Sequence, residues 1–172
     1  MQSDEEHRSI IISEGFPFII PPGVMTLVAF VTGFIWTGVL LLLVTFFIIW
    51  FFRNPERTGP ENPRQLVSPA DGRVIRVEEV ASLEHPGRSS IKISIFMNVF
   101  NVHVNRIPFS GEVLSIGYKP GKFLSANLDK ASALNERNTV LIRTDDGREI
   151  MTVQIAGLIA RRIVCWLKEG MQ

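Results

Sequence analysis

Three short segments of this 172-residue chain carry side chains able to do chemistry. The first, NVFNVHVNRIP over 98–108, sets His103 among apolar and amide side chains. An imidazole titrates near neutral pH, so it can take a proton or give one. Judged alone, a satisfied structural histidine is the commoner reading of such a residue. Asn105 and Arg106, two and three residues further on, are candidates for contact with a substrate. The second segment is Ser68-Pro69-Ala70-Asp71-Gly72, a tight turn whose carboxylate can bond nearby backbone amides; judged alone, a plain turn ahead of a strand is the commoner reading. The third joins Lys119-Pro120-Gly121-Lys122-Phe123 to Asn135-Glu136-Arg137-Asn138. Lys119, Lys122 and Arg137 could receive a phosphate or carboxylate, or could form a solvated face.

Metal chemistry is not expected. His7, His85 and His103 are dispersed, with no HxH or HxxxH pair, and the single Cys165 excludes both a CxxC site and an internal disulfide. Cys165 lies in the apolar run Ile163-Val164-Cys165-Trp166-Leu167 and reads as a small buried hydrophobe. Lys and Arg total 18 against 17 Asp and Glu, which argues against nucleic acid as a partner.

The elements that must position these residues fall into two kinds. No charged residue occurs over 15–52, and 24–52 reads as a membrane segment. It is either one tilted span or a helical hairpin of 24–35 and 39–52, with Pro17, Pro21, Pro22, Gly33 and Gly38 as possible breaks. Residues 1–14 form a polar, mildly acidic start without the features of a cleaved signal. Arg53, Arg57 and Arg64 flank the other end, which by the positive-inside rule places the following domain in the cytoplasm at the inner membrane. Residues 53–65 read as a Pro-rich linker. From 66 to 172 the periodicity is that of a compact β barrel or sandwich, with short strands around Val74–Val77, Ile91–Ile95 and Gly111–Ile116, and a hairpin turning at Gly147. One helical or irregular stretch is expected over 128–135, and no internal repeat is evident.

The order of these pieces is more telling than any one of them. FFRNPER (51–57) at the end of the anchor, LVSPADGRV (66–74), IFMNVFNVHVNRIPFSG (95–111) and KASALNERN (130–138) together resemble the phosphatidylserine decarboxylase family, in its short bacterial and archaeal form. The resemblance covers essentially everything from Phe51 to about Gly170. It implies a proenzyme that cuts itself at a Gly-Ser bond, the new terminal serine becoming a covalent pyruvoyl group on a short α chain. The carbonyl of that group takes up the amine of phosphatidylserine and serves as electron sink for loss of CO₂, releasing phosphatidylethanolamine. Asp71 then matches the acidic residue of self-cleavage, and His103 the histidine serving decarboxylation. Partners implied are the pyruvoyl-bearing α chain and phosphatidylserine in the bilayer, with a homo-oligomer left open.

Two departures stand out. Longer bacterial members have a second histidine where this chain has Arg106, so His103 serves both steps or cleavage uses another arrangement. No Gly-Ser pair follows His103. The expectation is therefore a β-chain portion, inactive by itself, whose pyruvoyl-forming serine lies beyond Gln172. Two alternatives remain: a membrane-tethered non-enzymatic β domain that binds a partner, and a decarboxylase of an archaeal-type serine ether lipid.

Overall fold

The computed structural model describes residues 9–60, 62, 65–82, 87, 89–125 and 131–172. His7, Arg64 and His85 lie outside the described residues, as does 128–130 at the start of the stretch expected to be helical. The chain divides into two compact units, Met1–Gly59 with Ala70–Asn105, and Pro60–Pro69 with Arg106–Gln172.

The first unit opens with a 3-10 turn, Ser13–Gly15, that runs into α1 (Phe16–Val31); α2 (Ile35–Phe51) follows after a three-residue turn. The apolar segment is thus a helical hairpin, broken at Gly33 and not at 36–38. Gly33 adopts φ 84°, a conformation that costs a side-chain-bearing residue energy. Pro17 stands near the helix start, where its missing N–H has no partner to lose. Pro21 and Pro22 lie inside α1 and do not end it. The Thr26 hydroxyl bonds the Pro22 carbonyl at 2.8 Å, and Thr45 does the same for Leu41 at 2.8 Å, so these hydroxyls are satisfied within their own helices. The helices run antiparallel: Phe18 stacks on Phe52, Gly23 faces Thr45, and Phe30 lies across Gly38. Outward, the hairpin is apolar all round, with Trp36 at 85% exposure and Leu27, Leu40 and Leu43 above 60%. A helix with no polar face suits lipid and not water. Counted from Ser13, the first helix is long and apolar enough to cross a membrane.

Both ends of the hairpin return to one side. Ile11 bridges Arg53 in antiparallel fashion, Ile12 N–H donates to the Phe52 carbonyl at 3.2 Å, and Asn54 N–H to the Ile10 carbonyl at 2.6 Å. The same unit holds β1 (Arg73–Ala81) and β2 (Ser89–Phe96), an antiparallel ribbon registered from Arg73↔Phe96 to Ala81↔Ser89. Glu78 faces Lys92 across it, with Nζ 2.9 Å from the carboxylate. Its apolar side chains Val74, Ile75, Val77, Ile91 and Ile93 are each at least half exposed.

The second unit is an antiparallel meander of β3 (Glu112–Lys119), β4 (Arg137–Arg143) and β5 (Glu149–Ile155), with the short α3 (Ala131–Leu134) before β4. Central β4 is buried at three successive positions, Val140, Leu141 and Ile142, as expected of a strand covered on both faces. Val113, Val140 and Ile142 form the core, and Ile116, Cys165 and Leu167 pack against it. Cys165 therefore sits partly buried among hydrophobes. The last residues return to the sheet, where Val113 N–H bonds the Met171 carbonyl and Gly170 N–H the Val113 carbonyl, both at 2.8 Å.

The domain is mainly β, as expected, but its sheets are open: one of two strands and one of three, with no closed barrel among the described residues. Alternation and turn residues specify strands and hairpins; they do not specify closure between strands separated by long connections. A repeat also emerges that composition did not reveal. Gly72 and Gly111 each precede a strand that bulges three residues on, at Ile75 and Leu114, and each lies flush on a partner carbonyl, Phe96 or Arg143. Any Cβ there would collide with backbone. At the same 39-residue offset, Val67 N–H bonds the Pro108 carbonyl (3.0 Å) and Arg106 N–H the Pro69 carbonyl (2.8 Å), a locally two-fold arrangement.

Asn135 clamps the second unit. It is 2% exposed; its Oδ1 accepts the Leu124 N–H (2.9 Å) and its Nδ2 donates to the Leu124 and Ala156 carbonyls (2.8 and 2.9 Å). Asn135→Ala strands all three backbone groups, so we expect a loss of about 3–5 kcal/mol. Urea unfolding followed through Trp166 fluorescence checks this, and a change under about 1 kcal/mol would show that water replaces the carboxamide.

Candidate active site

Asp71 of the PADG turn meets the 98–105 part of the histidine segment within the first unit. Asp71 Oδ2 accepts the N–H of Val102 at 2.9 Å, and Arg57 Nη2 lies 3.8 Å from the same oxygen. Val102 is 4% exposed, so its amide would otherwise lack a partner, whereas the ion pair is open to water and worth little. Asp71 thereby fixes the backbone immediately before His103.

His103 is held from two further directions. Its ring stacks on Phe51, the last residue of α2, with centroids 4.1 Å apart and planes 26° from parallel. Its Nδ1 lies 3.0 Å from the Asn101 carbonyl oxygen. A carbonyl only accepts, so Nδ1 carries the hydrogen and the lone pair of the neutral ring sits on Nε2. Burial pushes the His103 pKa below the ordinary 6.5, opposed by the Asn101 hydrogen bond; the Arg53 charge pushes it further down and Asp71 pulls it up. The net direction is down, so at neutral pH the ring is uncharged and Nε2 is a base.

Arg53 belongs to the same cluster. Its guanidinium donates to the Trp50 and Phe100 carbonyls, both at 2.7 Å, and lies 4.2 Å from the Trp50 ring centre. Asn105 contributes a different feature: its Oδ1 is buried and has no hydrogen-bond partner. Such an acceptor is costly unless something donates to it.

The other candidate residues lie in the second unit. The exposed side chain of Arg106 begins its larger segment, its backbone bonded to Pro69. Lys119 pairs with Arg137 across β3 and β4, and the Lys122 backbone bridges Asn135. Arg137 donates to the carbonyls of Ser132 and Ala133 (3.5 and 3.3 Å), while both lysine side chains are exposed. Asp71, His103 and Asn105 thus fall in one unit, and the three cations at one end of the other unit's sheet.

Phe51, Arg53 and Asn101 did not stand out as site residues in the sequence. The one signal was the aromatic pair Phe51-Phe52 followed by Arg53, where the apolar run stops.

The family model for phosphatidylserine decarboxylase matches residues 44–172. A phosphatidylserine decarboxylase proenzyme of Syntrophus aciditrophicus is 61% identical over 165 residues, covering 95% of this chain and 78% of that protein. Proteins of the same name from Ralstonia nicotianae and Burkholderia cenocepacia are each 47% identical over 164 residues, covering 94% of this chain and 74% and 75% of theirs. Neither the non-enzymatic reading nor the ether-lipid reading gains support from these relatives. With the match running from the last turns of α2 through both sheets, and so through Asp71 and His103, the chain belongs to the phosphatidylserine decarboxylase family.

Proposed function

We propose that this chain is the β-chain body of a membrane-bound, pyruvoyl-dependent enzyme that decarboxylates phosphatidylserine to phosphatidylethanolamine, with His103 and Asp71 as its working side chains. The observation that carries the reading is the seat of His103: a neutral imidazole packed on the last residue of an apolar hairpin, where a lipid headgroup would lie. A substrate confined to the bilayer needs its proton-handling group at that boundary.

Loss of CO₂ from the serine headgroup leaves an electron pair on carbon, and one proton must be added there. His103 Nε2 is suited to take a proton from the headgroup ammonium as that amine reacts, and to return it to the carbon once CO₂ has left. Nδ1–H, tied to the Asn101 carbonyl, keeps the ring in the required tautomer. The pyruvoyl group, when bound, supplies the electron-withdrawing carbonyl. The residues fit such a group: the orphan Asn105 Oδ1 calls for an N–H donor, which the amide carrying a pyruvoyl group or the substrate amine would provide. Asp71 is assigned to self-cleavage, with Arg106 in place of a second histidine. Lys119, Lys122 and Arg137, at one end of the second unit's sheet, are candidates for a phosphate or a carboxylate.

The pyruvoyl-bearing α chain is the proposed partner for the exposed apolar ribbon of β1 and β2, which would be covered in the assembled enzyme. Both hairpin ends lie on one side, and Arg53 and Arg57 on that side support, by the positive-inside rule, a cytoplasmic face at the inner membrane.

Intact mass of the expressed proenzyme tests the reading. We expect two chains, the smaller blocked at its N-terminus by a ketone that reacts with hydroxylamine, and release of CO₂ from phosphatidylserine. A single uncut chain without a reactive carbonyl would overturn it.

A further inference from the structure

The turn 98–101 has features that anchoring through α1 and α2 does not require. Asn101 N–H bonds the Asn98 carbonyl (3.1 Å), Asn98 N–H bonds Asn101 Oδ1 (2.8 Å), and Phe100 N–H bonds Asn98 Oδ1 (2.9 Å). The Phe100 carbonyl accepts from Arg53, and the Asn101 carbonyl from His103. The tip thus satisfies the polar backbone of Asn98, Phe100 and Asn101 from within the protein, which lowers the cost of taking it out of water. Its one large side chain nevertheless points outward, with Phe100 at 66% exposure. Phe100 does not stand apart from the anchor. Its ring meets Phe47 edge-on at 6.4 Å, and Phe47 lies one helical turn, about 6 Å, before Phe51 along α2. Trp50 and Arg53, stacked beside the turn, are the residue types that sit at a bilayer's headgroup level.

We propose that the Asn98-Val99-Phe100-Asn101 turn is a second membrane contact, an aromatic wedge that enters the leaflet beside the end of α2 and holds His103 at headgroup depth. The occupant of this surface is lipid: the wedge continues the apolar flank of α2, and Arg53 and Arg57 supply positive charge beside it for phosphate. The inference rests on the reading that the hairpin lies in the bilayer, and the test separates the two. The full chain in a Cys165→Ala background carries a nitroxide at Phe100→Cys, Leu40→Cys or Glu79→Cys, in vesicles of phosphatidylethanolamine and phosphatidylglycerol. The Phe100 label is expected to favour collision with oxygen over an aqueous nickel complex several-fold more than Glu79, at a depth of about 5–10 Å. An aqueous Phe100 with a lipid-exposed Leu40 would overturn the wedge and leave the anchor standing. Aqueous signals at both would overturn the anchor, and the wedge with it. Phe100→Trp, with the native tryptophans replaced by Phe, provides a second readout: quenching by brominated lipid supports the wedge, and its absence overturns it.

Discussion

Replacing His103 with alanine should lower phosphatidylserine turnover roughly 10²–10⁴-fold, the range for losing a positioned proton-transfer group. The expectation follows from its seat between Phe51 and the Asn101 carbonyl, which leaves Nε2 as the single basic position of the ring. The pH dependence offers a sharper check. With its pKa held below 6.5, His103 stays a base into mildly acidic solution, so the acid limb of kcat/KM should fall below pH 6.5. Phe51→Ala removes part of the burial that lowers the pKa, and the limb should move up toward 6.5. A limb unmoved in Phe51→Ala, or normal turnover in His103→Ala, would remove the ring from the reaction. Stability carries the same sign. The unfolded chain binds the proton more readily, so this contribution is complete above about pH 6.5 and is lost as pH falls through the lower folded value.

The second large effect is expected at Asp71, read from the state of the proenzyme and not from its rate. Asp71→Ala should leave the precursor as one uncut chain and cost about 1–3 kcal/mol, because the buried Val102 N–H loses its acceptor. Asp71→Asn separates the two roles. The amide oxygen can still accept from Val102, so the fold should keep nearly all of its stability, yet the charge is gone. If the carboxylate serves self-cleavage, Asp71→Asn stays uncut as well. Cleavage at the normal rate in that variant would confine Asp71 to holding the loop. Gel mobility of the proenzyme, with thermal unfolding in detergent, reads both.

Much of this molecule was legible in one dimension. The uncharged run from 15 to 52 became a pair of apolar helices, the first long and apolar enough to cross a membrane, and the β-branched runs around Val74, Ile93, Val113, Ile142 and Val153 became strands. These are properties of neighbours in sequence, set by period and composition. The ordered motifs carried the family for the same reason, since each is a contiguous string.

What remained hidden depends on residues far apart along the chain. The stacking of Phe51 on His103, the grip of Asp71 on Val102 across 31 residues, and the bond from Arg53 to Phe100 across 47 are products of folding. No local period encodes them. The choice between a span and a hairpin was likewise settled by helix packing and by the pairing of Ile11 with Arg53. Sequence alone therefore determined that a histidine and an aspartate of the right kinds were present, and in which family's order. Tertiary structure alone decided that the His103 pKa is lowered, that its lone pair is on Nε2, and that the end of α2 is part of its seat. Ionisation and orientation depend on burial and on the partners folding brings close, and these do not exist in the unfolded chain.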